Sequence, residues 1–165
     1  MTKLLLSIHV IAAILAVGPI AVAASMFPRF AREAAPSGTD AGTDAPGERT
    51  RASSVAAILH RICRGYAVVG VAVPVFGLAT ALQLGVLTDA WLITSLVLTA
   101  LAAAILALTI LPRQQRMLVG GPEMAADGAP RALAARLAML TGVFNLLWAV
   151  VVVLMIVRPG STTGA

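Results

Sequence analysis

Four long stretches of this chain contain no Asp, Glu, Lys or Arg, and they constrain its fold more than any other feature. They run from about Leu4 to Phe27, Tyr66 to Val86, Trp91 to Leu111 and Leu137 to Val157. Each is roughly 20 residues or longer, enough at about 1.5 Å per residue to cross a hydrocarbon core of about 30 Å. In lipid no water completes a backbone hydrogen bond, so only a helix can satisfy its own polar groups within one such run. Barrel strands are excluded by length, since they need alternating segments of about ten residues. The expected fold is all-α: a membrane-embedded four-helix bundle forming one domain over residues 1–165.

Composition agrees. Hydrophobic residues make up 59% of the chain and charged residues 12%, against about 45–50% and about 25% in soluble domains. Too little polar surface remains to clothe a water-soluble globule. The formal charge of +5 comes with no basic, aromatic-interleaved face, so nucleic acid is not an expected partner. The lipid bilayer is, with a second copy or another membrane protein as the open protein partner. A single cysteine, Cys63, excludes an intramolecular disulfide. The abundance of Arg and Ala fits a GC-rich bacterial genome.

The connections differ. Gly85 to Ala90 is a tight hairpin carrying Asp89, whereas residues 36–54 (PSGTDAGTDAPGERTRASS) are expected to form a mobile inner loop. Val55 to Arg64 reads as an amphipathic lead-in to the second span. Pro112 to Arg136 reads as a turn followed by a helix starting near Pro130.

Orientation follows from the arginines. Arg29, Arg32, Arg49, Arg51, Arg61 and Arg64 surround the first connection; Arg113, Arg116, Arg131 and Arg136 surround the third. The other side holds Lys3 and Arg158, a bias of ten to two. That places both termini outside a bacterial cytoplasmic (inner) membrane, with Arg29, Arg32, Arg61, Arg64, Arg113, Arg116 and Arg136 as inner-boundary anchors. A competing reading treats Lys3, the first apolar run and Ala21-Val22-Ala23 as a cleaved signal peptide, leaving three spans. The run exceeds a usual signal core, which favours four.

A buried repeat is also visible. Phe27-Pro28-Arg29-Phe30-Ala31-Arg32 and Leu111-Pro112-Arg113-Gln114-Gln115-Arg116 share an apolar-Pro-Arg-x-x-Arg pattern at the inner boundary. Arg64 precedes Gly70, and Arg136 precedes Gly142, by the same six residues. Two parallel-repeat helical hairpins would explain both echoes; snorkelling and helix termination at any inner boundary would too.

Few residues can carry chemistry. His9 lies about 8 Å inside the outer end of the first span by helical rise, and intramembrane ionisable groups often mark function. A neutral imidazole can ligate haem iron or simply bond a neighbouring helix. Met155 lies at a similar depth, so a His9/Met155 pair is conceivable, although Met usually packs. His60 is on the inner side, too far from His9 to share one haem within a monomer. Gly70, Pro74 and Gly77 share a face that permits close helix approach, and Pro19 and Pro74 should kink their helices. Asn145 reads as a cross-bundle hydrogen bond, Trp91 as an interfacial anchor and Trp148 as packing. Cys63 beside Arg61 and Arg64 is either an activated or acylated thiol or an inert one. No span holds the carboxylate of a proton-coupled carrier, and neither a zinc spacing, a phosphate loop nor a nucleophile set occurs.

Leu5-Leu6-Ser7-Ile8-His9-Val10-Ile11-Ala12-Ala13-Ile14-Leu15-Ala16-Val17-Gly18, with Asp89-Ala90-Trp91-Leu92-Ile93-Thr94-Ser95-Leu96, resembles a bacterial family of predicted integral membrane proteins of unknown function (domain of unknown function family 2269). Through His9 the chain is also loosely similar to small haem-associated membrane proteins, the four-helix protoporphyrinogen oxidase type and the copper-resistance D type. The first likeness implies four spans; the second implies haem or a metal at His9.

The favoured functional expectation is a non-catalytic accessory or interaction bundle with no resident cofactor. The first alternative is a haem- or quinone-associated redox protein using His9, with haem b as its cofactor. The second is a transporter built by oligomerisation.

Overall fold

The computed structural model describes residues 2–35, 46–120 and 128–160. Helices α1 (Thr2–Ala34), α2 (Pro46–Gly70), α3 (Ala72–Leu84), α4 (Ala90–Ile105), α5 (Leu111–Val119) and α6 (Ala129–Val157) follow in order, with a π-helical turn at Leu106–Ile110 joining α4 to α5. They form four rods: α1, α2 with α3, α4 through α5, and α6. Each rod is long and apolar enough to cross a membrane. Among the described residues there is no strand.

Two boundaries differ from the sequence expectation. Helix α2 begins at Pro46, so residues 46–54, expected in the mobile inner loop, are helical; residues 36–45 lie outside the described residues. Proline suits a first helical turn, and Glu48 there favours the positive end of the helix dipole. Ala52, Ala56, Leu59 and Cys63 then form a buried stripe at helical spacing. Packing of that stripe outweighs a polar local composition. Residues 112–119, expected in a turn, likewise continue the third rod as α5.

Prolines act in different ways. Helix α1 passes through Pro19 and Pro28 without interruption, so neither ends the span. At Pro112 the missing N–H follows the π-turn, where the Leu111 N–H bonds to Leu106 O, one residue further back than in an α-helix. Pro74 has the largest effect. Its ring crowds the Gly70 carbonyl, and the ladder breaks at Val71, whose N–H bonds Val68 O at 3.2 Å. Gly85 then adopts φ 70°, a left-handed turn that opposes side chains, and reverses the chain into α4.

Helix α1 is central and packs on α2, α3 and α6, while α4 packs on α6. The two hairpins thus meet through α1 and α6. The packed core lies toward the arginine-rich ends of the rods, where Phe27, Leu59, Ile110, Leu137 and Phe144 interlock. Ala23, Ala24 and Ala56 let α1 and α2 approach closely there.

Exposure is inverted relative to a soluble protein. Leu108 and Ile156 are each 76% exposed, whereas Ser95 and Gln114 are fully buried at 0%. Water would penalise that arrangement and lipid favours it. The chain is a multi-pass membrane protein.

Candidate functional site: a cavity at His9

Phe144 and Trp148 form an edge-to-face pair with ring centroids 6.3 Å apart. Trp148 also lines a cavity of about 510 Å³ bordered by α1, α3, α4 and α6. Helix α3 packs on α1 and has no comparable packing against α4. Those two helices leave the side of the cavity open to lipid. The lining is almost wholly aliphatic, with no carboxylate and one cation, Arg158.

Arg158 lies at the cavity's rim, beside the start of α4. Its guanidinium lies over the Trp91 ring at 5.6 Å, and its Nε donates to Met155 O at 3.3 Å. Trp91 Nε1 in turn donates to Asp89 Oδ2 at 3.0 Å. This stack ties the end of α6 to the start of α4, with Arg158 itself in a left-handed conformation at φ 44°.

His9 projects from α1 onto the broken helix. Its Nδ1 lies 2.9 Å from Val73 O. A carbonyl only accepts, so Nδ1 carries the proton and donates it. In the neutral ring Nε2 is then a bare acceptor. Nε2 has no hydrogen-bond partner among the described residues and is not among the polar atoms sealed from the surface. The seat for the ring is Gly77: a Cβ there would stand 2.8 Å from His9 Cε1 and 3.1 Å from Nδ1. Only a residue without a side chain fits beneath the imidazole.

The remaining candidates fall into three groups. Met155 and Pro74 line the same cavity as His9. A Cβ added at Gly70 would stand 4.0 Å from Ala16 Cβ, an ordinary contact, so of the two glycines Gly77 is the tight one. Asn145 lies beneath the floor, where its Nδ2 donates to Ser25 Oγ across to α1 at 3.3 Å and its buried Oδ1 has no partner. Near the first and third connections, Arg32, Arg61, Arg64, Arg116 and Arg136 are exposed and Arg113 is half-buried. Arg29 pairs with Glu33 at 2.9 Å.

One polar group escaped the sequence reading. Gln114 of α5 is fully buried; its Oε1 accepts from His60 Nδ1 at 3.0 Å, and its Nε2 donates to Cys63 Sγ at 3.7 Å. Gln114 lies one turn beyond buried Ile110, and His60 one turn beyond buried Ala56. That spacing was the available signal. Cys63, 0% exposed, is closed to acylation in this packing.

Chemically, His9 Nε2 is an unpartnered acceptor, among the described residues, on a side chain that lines a mostly apolar cavity. Such a nitrogen can take a hydrogen bond or a metal ion, with Nδ1–H bonded to a carbonyl as the orienting contact. No group of three or more metal-type side chains gathers among the described residues. In comparison with known proteins, no family model, curated protein or solved structure matches this chain. Function is therefore argued from the site's own geometry.

Proposed function

We propose that this chain is a binding bundle of the bacterial cytoplasmic membrane, with both termini outside, whose cavity receives a lipid-soluble amphiphile held at its polar end by His9. The observation that carries this is the His9 ring itself. One nitrogen is fixed on Val73 O, the ring is seated on Gly77, and the other nitrogen is left without a partner beside a large apolar cavity. A histidine serving only as helix glue would need no such cavity. Open to lipid between α3 and α4, a space of this size takes lipid chains or a ligand. The volume lies within the range of about 300–1,000 Å³ typical of small-molecule sites. With a single acceptor and no paired acid, base or nucleophile in the lining, the site suits binding more than catalysis.

The test is to purify the full chain in mild detergent and identify bound small molecules by mass spectrometry. A defined amphiphile present in the wild type and lost in His9→Ala supports the reading. Bulk phospholipid alone, unchanged between the two, rules it out.

One observation favours a second reading, b-type haem: His9 and Met155 line the same cavity. Purified protein with a Soret band that disappears in His9→Ala supports haem; colourless protein removes it.

A further inference from the structure

We propose that the ligand of the His9 cavity is recognised as a hydroxyl donor, and that it is the reduced, hydroquinone form of a lipid-tailed quinone rather than the oxidised form. This rests on the His9-centred binding reading and adds the chemistry of its ligand.

The tautomer decides the donor sense. Because Val73 O can only accept, the hydrogen of the neutral imidazole sits on Nδ1, 2.9 Å away. Nε2 then offers a lone pair and no hydrogen. A ligand carbonyl brought to Nε2 would set one lone pair against another, and both groups would have lost their other partners. A ligand hydroxyl forms an O–H···N bond there. The bond to Val73 O fixes the ring's orientation, and Gly77 leaves the space the ring occupies, since a Cβ there would stand 2.8 Å from Cε1. Turning the ring to reverse the two nitrogens would break the bond to Val73.

The surroundings select the rest of the molecule. A phenolic hydroxyl is more acidic than an aliphatic alcohol and so makes the stronger bond to an imidazole acceptor. Trp148 and Met155, both in the lining, offer an aromatic ring and a thioether, the groups that pack well on a flat ring. The gap between α3 and α4 is flanked by Leu78, Ile93 and Leu96, which gives an aliphatic tail its way out into the bilayer. Arg158 at the rim, the one charged group in the lining, lies over Trp91 and leaves the walls beneath it apolar. No electron transfer is invoked; the inference concerns which form is bound.

The experiment titrates detergent-purified full chain, under anaerobic reducing conditions where needed, with a short-chain hydroquinone, its quinone and its dimethyl ether, and follows tryptophan fluorescence. The expected order is hydroquinone tighter than both others by about tenfold, one hydrogen bond's worth of discrimination. His9→Ala should bring all three to the same weak affinity. His9→Asn provides the control for folding: its amide can still donate to Val73 O but has no atom at the Nε2 position, so stability is kept and the preference is lost. Equal affinity of the three ligands for the wild type overturns the donor inference and leaves the cavity reading standing. Tighter quinone binding also overturns it, since Nε2 would then be donating. No binding of any of them, with no amphiphile co-purifying, overturns both.

Discussion

The His9 imidazole occupies the space that a side chain at position 77 would need: a methyl group on Gly77 would stand 2.8 Å from His9 Cε1. Residues on two different helices thus define one seat. Gly77→Ala must push the ring off Val73 O or push α3 away from α1. The expected cost is about 1–3 kcal/mol, typical of overpacking, seen as a lower Tm in detergent. The double variant His9→Ala with Gly77→Ala should regain much of that loss, because the clashing partner is gone. Loss in the double variant equal to the sum of the singles would contradict the seat.

The buried pair at the other end of the bundle behaves differently. Truncating Gln114 leaves His60 Nδ1 and the Cys63 thiol without their partner. Gln114→Ala should therefore destabilise by about 0.6–3 kcal/mol. His60→Leu combined with Gln114→Leu replaces both polar partners by apolar ones and should lie closer to wild type than either single variant. Thermal unfolding of the four proteins in one detergent checks this as a double-variant cycle.

Pro74 lies three residues beyond the helix break at Val71, on the helix that flanks the cavity. Pro74→Ala restores the N–H that Gly70 O lacks and removes the clash. The rod formed by α2 and α3 should straighten, with slower amide hydrogen exchange at Val71 and Val75. Because α3 also supplies Val73 O and Gly77, ligand affinity should fall even as the helix becomes locally more stable. Unchanged exchange at Val71 would show that proline is not the cause of the break.

Orientation is tested with single cysteines on a Cys63→Ser background. Ser53 and Thr88 are both exposed, one on α2 and one in the α3–α4 hairpin. In intact cells a membrane-impermeant maleimide should label Thr88→Cys and spare Ser53→Cys until the membrane is opened. The reverse pattern would place the arginine-rich face outside.

Much of the architecture was legible in the residues. Charge-free runs of this length have one structural solution in lipid, so the four rods followed from the chain itself. His9 stood out because it is the one ionisable side chain inside a span, and Gly77 because a small residue in an apolar helix marks close approach. What could not be read was that these two meet, since their contact depends on how α1 and α3 are rotated. The helical start of α2 was hidden for a related reason. Residues 46–54 are polar in composition, and only the packing of Ala52, Ala56 and Leu59 makes helix worthwhile there.

Backbone satisfaction in lipid acts on each segment alone, so the sequence by itself determined the number of spans and the class of the fold. Arginine placement, also local, carries the expectation of sidedness. The void, the proton position on His9 and the His60–Gln114 pair were decided by tertiary structure. Each depends on atoms from separate helices meeting within about 3 Å, and no single helix encodes that distance.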